Sequence, residues 1–371
     1  MNSGKIPSSL WNLADEVIDS PDSISWQDFS GANILVTGCC GFLGGHLLRI
    51  LLRLNDRSIL QQPLRLTGLD SLRLREDLTL QELSKRTDFQ FLSQDVCQPD
   101  LFSQDKIANV HWNFIFHAAS IASPTFYRKF PIETIDSNVL GLKNMLELAK
   151  QKKEFLKSFL FFSSSEIYGN PDAGQLPLKE SYSGNVDCTN PRACYAESKR
   201  LGETYCLAYH QQFQLPVKIA RPFNNYGPGM AIEDRRVIPD FSRDLLRHSK
   251  IQILSDGSPT RSYCYVADAL IGYFQLLLSK HNGIPVNIGN DGEDISVQQL
   301  AKVFAEEGQK ILAREISIHF SKSEDPHYLT GNPERRRPSI HRARDLLNYE
   351  PRTSLSEGIR KTLNYYREAS L

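Results

Sequence analysis

The sequence has no long apolar segment. Nowhere in its 371 residues do about 18 uncharged apolar residues follow one another, which is the length that a membrane-spanning helix needs. Residues 1–20 also lack the order of a secretory signal peptide, in which a basic segment precedes an apolar one. We therefore expect a cytoplasmic protein that has no membrane partner.

The chain has no excess of either charge, and its cysteines follow no familiar spacing. The 43 Lys and Arg residues balance the 43 Asp and Glu residues, so nothing in the composition attracts a polyanion such as DNA. The seven cysteines are odd in number and include no C-x-x-C pair, which argues against a disulfide framework and a zinc knuckle. The composition predicts no nucleic-acid partner and no metal, and it favours a small ligand.

From residue 33 onwards, short apolar runs alternate with helical stretches. Runs that are apolar throughout indicate parallel strands covered on both faces. The pattern predicts a Rossmann-type, doubly wound α/β sheet that binds a dinucleotide over residues 31–222. Residues 1–30 are predicted to form an N-terminal extension with a short amphipathic helix. Prolines and glycines interrupt the alternation later in the chain, so residues 223–371 are predicted to form a smaller α/β lobe for the substrate.

Three glycines lie between the first predicted strand and the first predicted helix. Gly38, Gly41 and Gly44 in "VTGCCGFLGG" allow a tight turn, a close approach of the backbone to a pyrophosphate and close packing of the helix on the strand. The free N–H groups at the N-terminus of that helix can bind the same anion. The segment predicts a dinucleotide site, in which Cys39 and Cys40 are interpreted as space-fillers.

An acidic residue ends the second predicted strand. Asp70 is placed to accept hydrogen bonds from the adenosine ribose of a dinucleotide, which favours NAD over NADP. Arg73 and Arg75 follow it and leave NADP open, because an arginine at this point could bind a 2′-phosphate. NAD is the expected cofactor.

A tyrosine and a lysine lie four residues apart in a predicted helix. Tyr195 and Lys199 in "CYAESKRLGETYCLAYH" share one helix face, and the lysine ammonium should lower the pKa of the phenol by stabilising the phenolate. Tyr195 could then act as a base that removes a proton from a substrate hydroxyl. The segment "FFSSSEIYGN" places three serines and Glu166 where the fifth predicted strand ends, which is the edge at which such sheets bind ligands.

The chain resembles the extended short-chain dehydrogenase/reductases, and among them the NAD-dependent nucleotide-sugar epimerases and dehydratases. The glycine spacing G-x-x-G-x-x-G is the form used in these enzymes. Within the family, "SSEIYGNP", "NPRACYAESKR" and "DGSPTRSYCYVAD" are most similar to motifs of the UDP-glucuronate decarboxylases, and the likeness covers residues 32 to about 367. The resemblance implies a UDP-sugar substrate, bound NAD and a homodimer.

The resemblance also implies roles for individual residues at the matching positions. It implies catalytic roles for Ser164, Glu166, Tyr195, Lys199 and Arg336. It implies cofactor contacts from Gly38, Gly41, Phe42, Leu43, Gly44, Asp70, Asp95, Val96, Tyr195 and Lys199. It implies substrate contacts from Pro124, Tyr127, Ser165, Asn224, Arg261 and Arg336, with Asn138 shaping the site. Ser164 would hydrogen-bond the same substrate oxygen that Tyr195 deprotonates.

The identity of the residue after Ser164 distinguishes loss of water from loss of CO₂ as the expected reaction. The related 4,6-dehydratases have an aspartate there that expels water, whereas the hydroxyl of Ser165 gives up no proton at neutral pH. Loss of CO₂ from a 4-keto glucuronate needs no such acid, because a β-keto acid decarboxylates into its own enolate. The expected reaction oxidises C4, releases the carboxylate attached to C5 and returns the hydride to give UDP-xylose.

Three other functions remain open. A 4-epimerase of UDP-glucuronate or of another nucleotide-sugar would share the oxidation step and differ in its outcome. A 4,6-dehydratase would share the same step as well. A regulator that only senses the cofactor belongs to a different class, and it would have no need of an intact Ser164, Tyr195 and Lys199.

Three consecutive arginines, Arg335, Arg336 and Arg337, are the candidates for binding the substrate carboxylate. Arginine can bind a carboxylate through two parallel hydrogen bonds. The resemblance selects Arg336, two places before Pro338, over Arg335 and Arg337. The family has an aspartate after this proline, where the chain has Ser339. The alternative interpretation of the run is a solvated basic turn.

Overall fold

The computed structural model describes residues 6–74, 79–99, 101, 104–292, 294–323 and 330–369, so Arg75 lies outside the described residues. The α-helices are α1 (Ser8–Ile18), α2 (Phe42–Asp56), α3 (Thr79–Leu83), α4 (Asp105–Ala108), α5 (Pro124–Lys129), α6 (Pro131–Asp136), α7 (Leu142–Gln151), α8 (Ala193–Phe213), α9 (Val237–His248), α10 (Val266–Leu278), α11 (Val297–Leu312), α12 (His341–Leu347) and α13 (Leu355–Glu368). The strands are β1 (Asn33–Thr37), β2 (Arg65–Asp70), β3 (Phe89–Ser93), β4 (Phe114–His117), β5 (Ser158–Phe162), β6 (Val217–Pro222), β7 (Asn225–Tyr226), β8 (Lys250–Ile253), β9 (Thr260–Arg261), β10 (Cys264–Tyr265), β11 (Pro285–Ile288), β12 (Ile295–Ser296), β13 (Ser317–Phe320) and β14 (Arg335–Arg336). Within these described segments, no helix combines the length and the apolar character required to cross a membrane.

Seven parallel strands form one large sheet. Its order is β11-β6-β5-β4-β1-β2-β3, and every neighbouring pair runs parallel. A strand such as β5 is buried along its whole length, as expected for a sheet that is covered by helices on both faces. The predicted Rossmann-type α/β fold is confirmed.

The sheet reverses its strand order beside β1. This strand pairs with β2 on one side and with β4 on the other. Strands that follow β1 in the sequence therefore lie on both sides of it. In open α/β sheets, ligands bind outside the carboxyl ends of the strands at such a switch point. The loops that follow β1, β2, β4 and β5 therefore surround one site.

The N-terminal extension packs on the main body through a helix. In α1, Leu10, Leu13 and Val17 are buried in the main hydrophobic core. Arg53 of α2 donates two hydrogen bonds to the carboxylate of Asp15 in α1, both at 2.8 Å. The predicted amphipathic helix is confirmed, and it packs against α2, α10 and α13.

Small sheets build the second lobe. Strand β9 pairs with β14 in the parallel direction and with β12 in the antiparallel direction. In the pair of β9 and β14, Arg261 lies opposite Arg336, so two predicted substrate residues are neighbours. Strand β11 instead joins the large sheet beside β6, so the segment 223–371 contributes to both lobes. The domain bounds themselves stay a prediction.

A buried ion pair joins α8 to the large sheet beside the end of β5. Arg221 of β6 donates from Nε and Nη2 to the two carboxylate oxygens of Glu203, at 2.9 and 2.6 Å. Ser163 donates to the same carboxylate at 2.5 Å, and Arg221 also donates to the hydroxyl of Tyr168 at 2.7 Å. Ser163 and Tyr168 of the segment "FFSSSEIYGN" therefore have a structural role in this network.

We expect Glu203→Ala to lower the free energy of unfolding by about 3–5 kcal/mol, because the substitution leaves the Arg221 charge buried and unpaired. Urea unfolding of the two proteins measures the difference. Glu197→Ala on the same helix is the control, since its pair with Arg200 is exposed and its loss should change the free energy by less than about 0.5 kcal/mol. Equal small losses at both positions would contradict a structural role for the network.

Candidate active site

The glycine loop is so tight that it requires its glycines. Gly38 has a φ of +66°, and a Cβ atom added there would lie 2.6 Å from the backbone nitrogen of Ala119. A Cβ atom on Gly44 would lie 2.1 Å from the carbonyl oxygen of Gly38. Gly41 precedes the first residue of α2, so the first N–H groups of that helix remain available to an anion. The loop fits the pyrophosphate of a dinucleotide.

Asp70 ends β2 next to this loop. Its Oδ2 atom accepts a hydrogen bond from the backbone N–H of Cys40 at 3.0 Å. Arg73 lies 3.4 Å from a carboxylate oxygen of Asp95 and 3.8 Å from one of Glu133. These carboxylates compensate the arginine that could otherwise bind a 2′-phosphate. The arrangement favours NAD over NADP.

One cavity of about 1400 Å³ extends from the glycine loop to the second lobe. Most of the predicted site residues line it, namely Gly38, Gly41, Phe42, Leu43, Gly44, Asp70, Asp95, Val96, Pro124, Ser164, Ser165, Glu166, Tyr195, Lys199, Asn224, Arg261 and Arg336. Tyr127 does not line it. Its side chain is buried, and its ring stacks on that of Tyr195 with the centroids 5.0 Å apart. Tyr127 therefore supports Tyr195 and does not lie on the cavity surface.

Tyr195 and Lys199 share one face of α8 as predicted, but their electrostatics differ from the prediction. Lys199 donates from Nζ to the carbonyl of Phe162 at 2.7 Å, and burial lowers its pKa to about 7. Burial raises the pKa of Tyr195 to about 12, while a hydrogen bond with Ser164 acts in the opposite direction. The net shift of the Tyr195 pKa is therefore upward, opposite to the lowering expected from the sequence, because desolvation disfavours the charged forms of both residues.

Hydrogen bonds hold the surroundings of Tyr195 in place. Ser164 accepts a hydrogen bond from the backbone N–H of Glu166 at 3.1 Å, which caps the short helical turn at the end of β5. Asn138 accepts a hydrogen bond from Ser120 at 2.7 Å and donates one to Ser198 at 2.9 Å. Asn138 thus ties the loop after β4 to α8, from a position that is buried behind the cavity wall.

Asn224 and Arg261 line the cavity from the side of the second lobe. Asn224 has a φ of +42° and donates to the carbonyl of Ser262 at 2.8 Å. Arg261 donates to the Asn332 side chain at 2.9 Å and to the Pro333 carbonyl at 2.6 Å. Burial lowers the pKa of Arg261 to about 10. Both side chains are therefore fixed by bonds within the protein.

One carboxylate lies among three guanidinium groups. The Oε1 atom of Glu166 accepts hydrogen bonds from Nη1 of Arg336 at 2.6 Å and from Nη2 of Arg192 at 3.1 Å. Burial alone would raise the pKa of Glu166, but these two guanidinium groups outweigh it and hold the pKa well below its usual range. The charge of Arg261 acts in the same direction. The cluster keeps a net positive charge, which suits an anionic ligand.

The three consecutive arginines point in different directions. Arg336 is only 4% exposed, whereas the side chain of Arg335 is 52% exposed and pairs with Asp294. Arg337 donates to the carbonyl of Asp291 at 3.0 Å. Successive residues of a strand point to opposite faces, which turns Arg336 inward and its neighbour outward. Nε and Nη2 of Arg336 are buried and have no hydrogen-bond partner among the described residues, and Arg336 belongs to the lining of the cavity.

Sequence reasoning missed several arginines that line this cavity, and two of them, Arg192 and Arg236, act on the charges of Glu166 and Tyr195. Arg192 pairs with Glu166, and its side chain is 12% exposed. Arg236 precedes α9, pairs with Asp234 and lies close enough to Tyr195 for its charge to oppose the rise in that pKa. The position of Arg192, three residues before Tyr195, could have indicated from the sequence that it lies near the site. No local sequence pattern places Arg236 at the site, because it lies in the second lobe, far along the chain from Tyr195.

Comparison with known proteins agrees with this geometry. Residues 34–289 match the NAD dependent epimerase/dehydratase family. The chain belongs to this family. UDP-glucuronic acid decarboxylase 1 of Arabidopsis thaliana is 36% identical over 340 residues, which cover 91% of this chain and 70% of that protein. UDP-glucuronic acid decarboxylase 6 of the same plant is 34% identical over 330 residues, which cover 89% of this chain and 87% of that protein.

A solved structure of the family has the same fold. The UDP-glucuronic acid 4-epimerase of Bacillus cereus, solved with UDP-glucuronic acid and NAD, is 27% identical and has a TM-score of 0.73 over 91% of this chain and 99% of its own. Membership of the epimerase/dehydratase family makes this protein an NAD-dependent enzyme that modifies nucleotide-sugars. The predicted family, the NAD cofactor and the prediction of a nucleotide-sugar-modifying enzyme are confirmed.

Proposed function

We propose that this member of the family decarboxylates UDP-glucuronate to UDP-xylose. The observation that carries the proposal is the buried guanidinium group of Arg336, which belongs to the lining of the cavity and has two nitrogens, Nε and Nη2, without a partner among the described residues. A guanidinium group can donate two parallel hydrogen bonds to a carboxylate. UDP-glucose has no carboxylate, so a buried arginine in this position favours UDP-glucuronate.

The charge balance of the cluster around Glu166 supports an acidic sugar nucleotide. Glu166 offers one negative charge to Arg192, Arg261 and Arg336. An uncompensated charge that is removed from water is costly. The pyrophosphate and the carboxylate of UDP-glucuronate would provide the missing negative charge.

The catalytic residues would act on the C4 hydroxyl of the sugar. The glycine loop and Asp70 would hold NAD, whose chemistry is the reversible transfer of a hydride at C4. Tyr195 would remove the hydroxyl proton, while Ser164 holds the same oxygen through a hydrogen bond. The resulting C4 ketone takes up the electron pair of the bond to the carboxylate, so CO₂ leaves without an acid. Glu166 would position the sugar or the water molecule that protonates C5.

Ser165 supports decarboxylation over loss of water. It is buried and lines the cavity directly after Ser164, at the position where the dehydratases of the family have their acid. A hydroxyl offers no proton at neutral pH. Epimerisation at C4 is the second candidate, because the similar enzyme of Bacillus cereus is a 4-epimerase that was solved with UDP-glucuronic acid. Arg336 would serve either reaction.

Incubation with UDP-glucuronate and NAD in D₂O separates these two reactions. Decarboxylation leaves an enolate whose C5 takes up one solvent deuteron, so the UDP-xylose formed carries deuterium at C5. Epimerisation returns hydride to C4 and leaves the C5–H bond untouched. NMR of the product measures the difference. A 4-epimer of UDP-glucuronate without deuterium would contradict the proposed function.

We further propose that the enzyme is a cytoplasmic homodimer. Ile132, Leu140 and Leu201 are 64%, 48% and 45% exposed, respectively. They lie on α6, on the π-helical turn Ser137–Gly141 and on α8, which contact one another. The family resemblance implies pairing through these same elements. A second copy of the chain would cover the three side chains.

We expect Leu201→Asp to convert the dimer into a monomer. Burial of a leucine side chain contributes about 1.5–3 kcal/mol, and a two-fold interface contains the residue twice, so the dissociation constant should rise by at least about 100-fold. Sedimentation equilibrium measures it. Phe320→Asp is the control, since Phe320 is similarly exposed but lies on β13, outside these elements. Identical masses for the wild type and both variants would exclude this interface.

A further inference from the structure

Cys39 and Cys40 are adjacent in the glycine loop, and Gly41 separates them from the first residue of α2. Their sulfur atoms are 3.9 Å apart, and both residues are buried. The two thiols and a carboxylate oxygen of Asp70 all lie within 4.8 Å of one another. Neither the tight turn of the loop nor the proposed reaction requires sulfur at these positions, so the cluster needs an explanation of its own.

The cluster has the dimensions of a thiolate metal site. In tetrahedral zinc sites the Zn–S distance is about 2.3 Å, which places two sulfur ligands about 3.8 Å apart. The sulfur atoms of Cys39 and Cys40 match this spacing, and a carboxylate is a common further ligand of Zn²⁺. We propose that Cys39, Cys40 and Asp70 bind a divalent, thiophilic metal ion of the Zn²⁺ type, with loss of both thiol protons. The absence of a C-x-x-C pair had suggested that no metal binds.

Three local features prepare this site. The partial positive charge at the N-terminus of α2 stabilises a thiolate that lies next to it. Gly68 of β2 leaves space for the sulfur of Cys39, since a Cβ atom there would lie 2.9 Å from it. The hydrogen bond from the Cys40 N–H to Asp70 holds the third ligand beside the two thiols. The ligands are therefore close together before any ion binds.

The ion and NAD would exclude each other. Asp70 is the predicted acceptor for the ribose hydroxyls of NAD, and Cys40 and Asp70 both line the cofactor end of the cavity. A carboxylate that coordinates a metal ion is drawn towards the thiolates and away from the ribose. Since coupling between two ligands is reciprocal, each would weaken the binding of the other by the same factor. A thiophilic ion would thus inhibit the enzyme at its cofactor site.

Titration of the full-length protein with Co²⁺ tests the proposal, because thiolate ligands give a charge-transfer absorption band that oxygen and nitrogen ligands lack. We expect one Co²⁺ per chain with this band, and loss of the band when Zn²⁺ replaces it. Cys40→Ser should weaken binding by at least about 100-fold, since even the loss of an outer-shell partner costs about 10–100-fold. NAD at about 100 times its Kd should weaken Co²⁺ binding by about 100-fold.

Cys188→Ser is the matched control, because Cys188 is exposed and is not among the residues that line the cavity. It should bind Co²⁺ as the wild type does. Thermal melting identifies a variant that fails to fold, and Cys39→Ala then takes the place of Cys40→Ser. The proposal is overturned if the wild type shows no thiolate band, if the band persists in the folded cysteine variant, or if NAD leaves the affinity for Co²⁺ unchanged.

Discussion

Tyr195→Phe is expected to lower kcat for UDP-glucuronate by about 10²–10⁴-fold, which is the usual contribution of a positioned acid–base group. The substitution removes only the hydroxyl. The phenyl ring can still stack on Tyr127, so the fold and the cavity should be retained. Steady-state kinetics measure the rate, and calorimetric titration should show that NAD and UDP bind nearly as tightly as to the wild type.

Tyr205→Phe is the matched control on the same helix. Tyr205 is half-buried on α8 and is not among the residues that line the cavity, so its variant should keep the kinetics of the wild type. If Tyr195→Phe retained a rate within a factor of a few of the wild type, another group would have to remove the C4 hydroxyl proton.

Arg336→Ala is expected to lose most of its kcat/KM for UDP-glucuronate. Truncation of one partner of a desolvated charge pair costs about 2–5 kcal/mol, which corresponds to roughly 30-fold to several thousand-fold in affinity or rate. The affinity for UDP should change little, because UDP has no carboxylate. Arg336→Lys should recover only part of the loss, since lysine keeps the charge beside Glu166 but lacks the two parallel N–H groups of arginine.

Arg335→Ala and Arg337→Ala are the neighbouring controls. The side chain of Arg335 is half exposed and bound to Asp294, and neither arginine lines the cavity, so each variant should change kcat/KM by no more than the equivalent of about 0.5 kcal/mol. Equal modest losses in all three alanine variants would show that the cluster is a basic surface turn, and that Arg336 does not recognise the carboxylate.

The parts of the site that could be predicted from the sequence are those encoded by short-range patterns. The glycines of the loop after β1 follow from backbone geometry, and Asp70 follows from its place at the end of a strand. Tyr195 and Lys199 share a face because they are four residues apart in a helix. The inward orientation of Arg336 agrees with the prediction and follows from the alternation of side chains along β14.

The remaining features depend on contacts between distant segments. Burial raises the pKa of Tyr195, and no local pattern gives the degree of burial. The pairing of Glu166 with Arg192 and Arg336 joins three separate elements, so only the folded chain brings these charges together. Strand β11 has four residues and follows a loop, and it is recognisable as the edge of the large sheet only through its pairing with β6.

The product that the enzyme forms from UDP-glucuronate tests the central claim most directly. The purified protein is incubated with UDP-glucuronate and NAD, and mass spectrometry of the sugar nucleotide is combined with measurement of released CO₂. The proposed function predicts a product that is lighter by one CO₂, an equal amount of CO₂ released, and no net consumption of NAD, because the hydride returns to C4. A product of unchanged mass, or one lighter by a water molecule, would contradict decarboxylation.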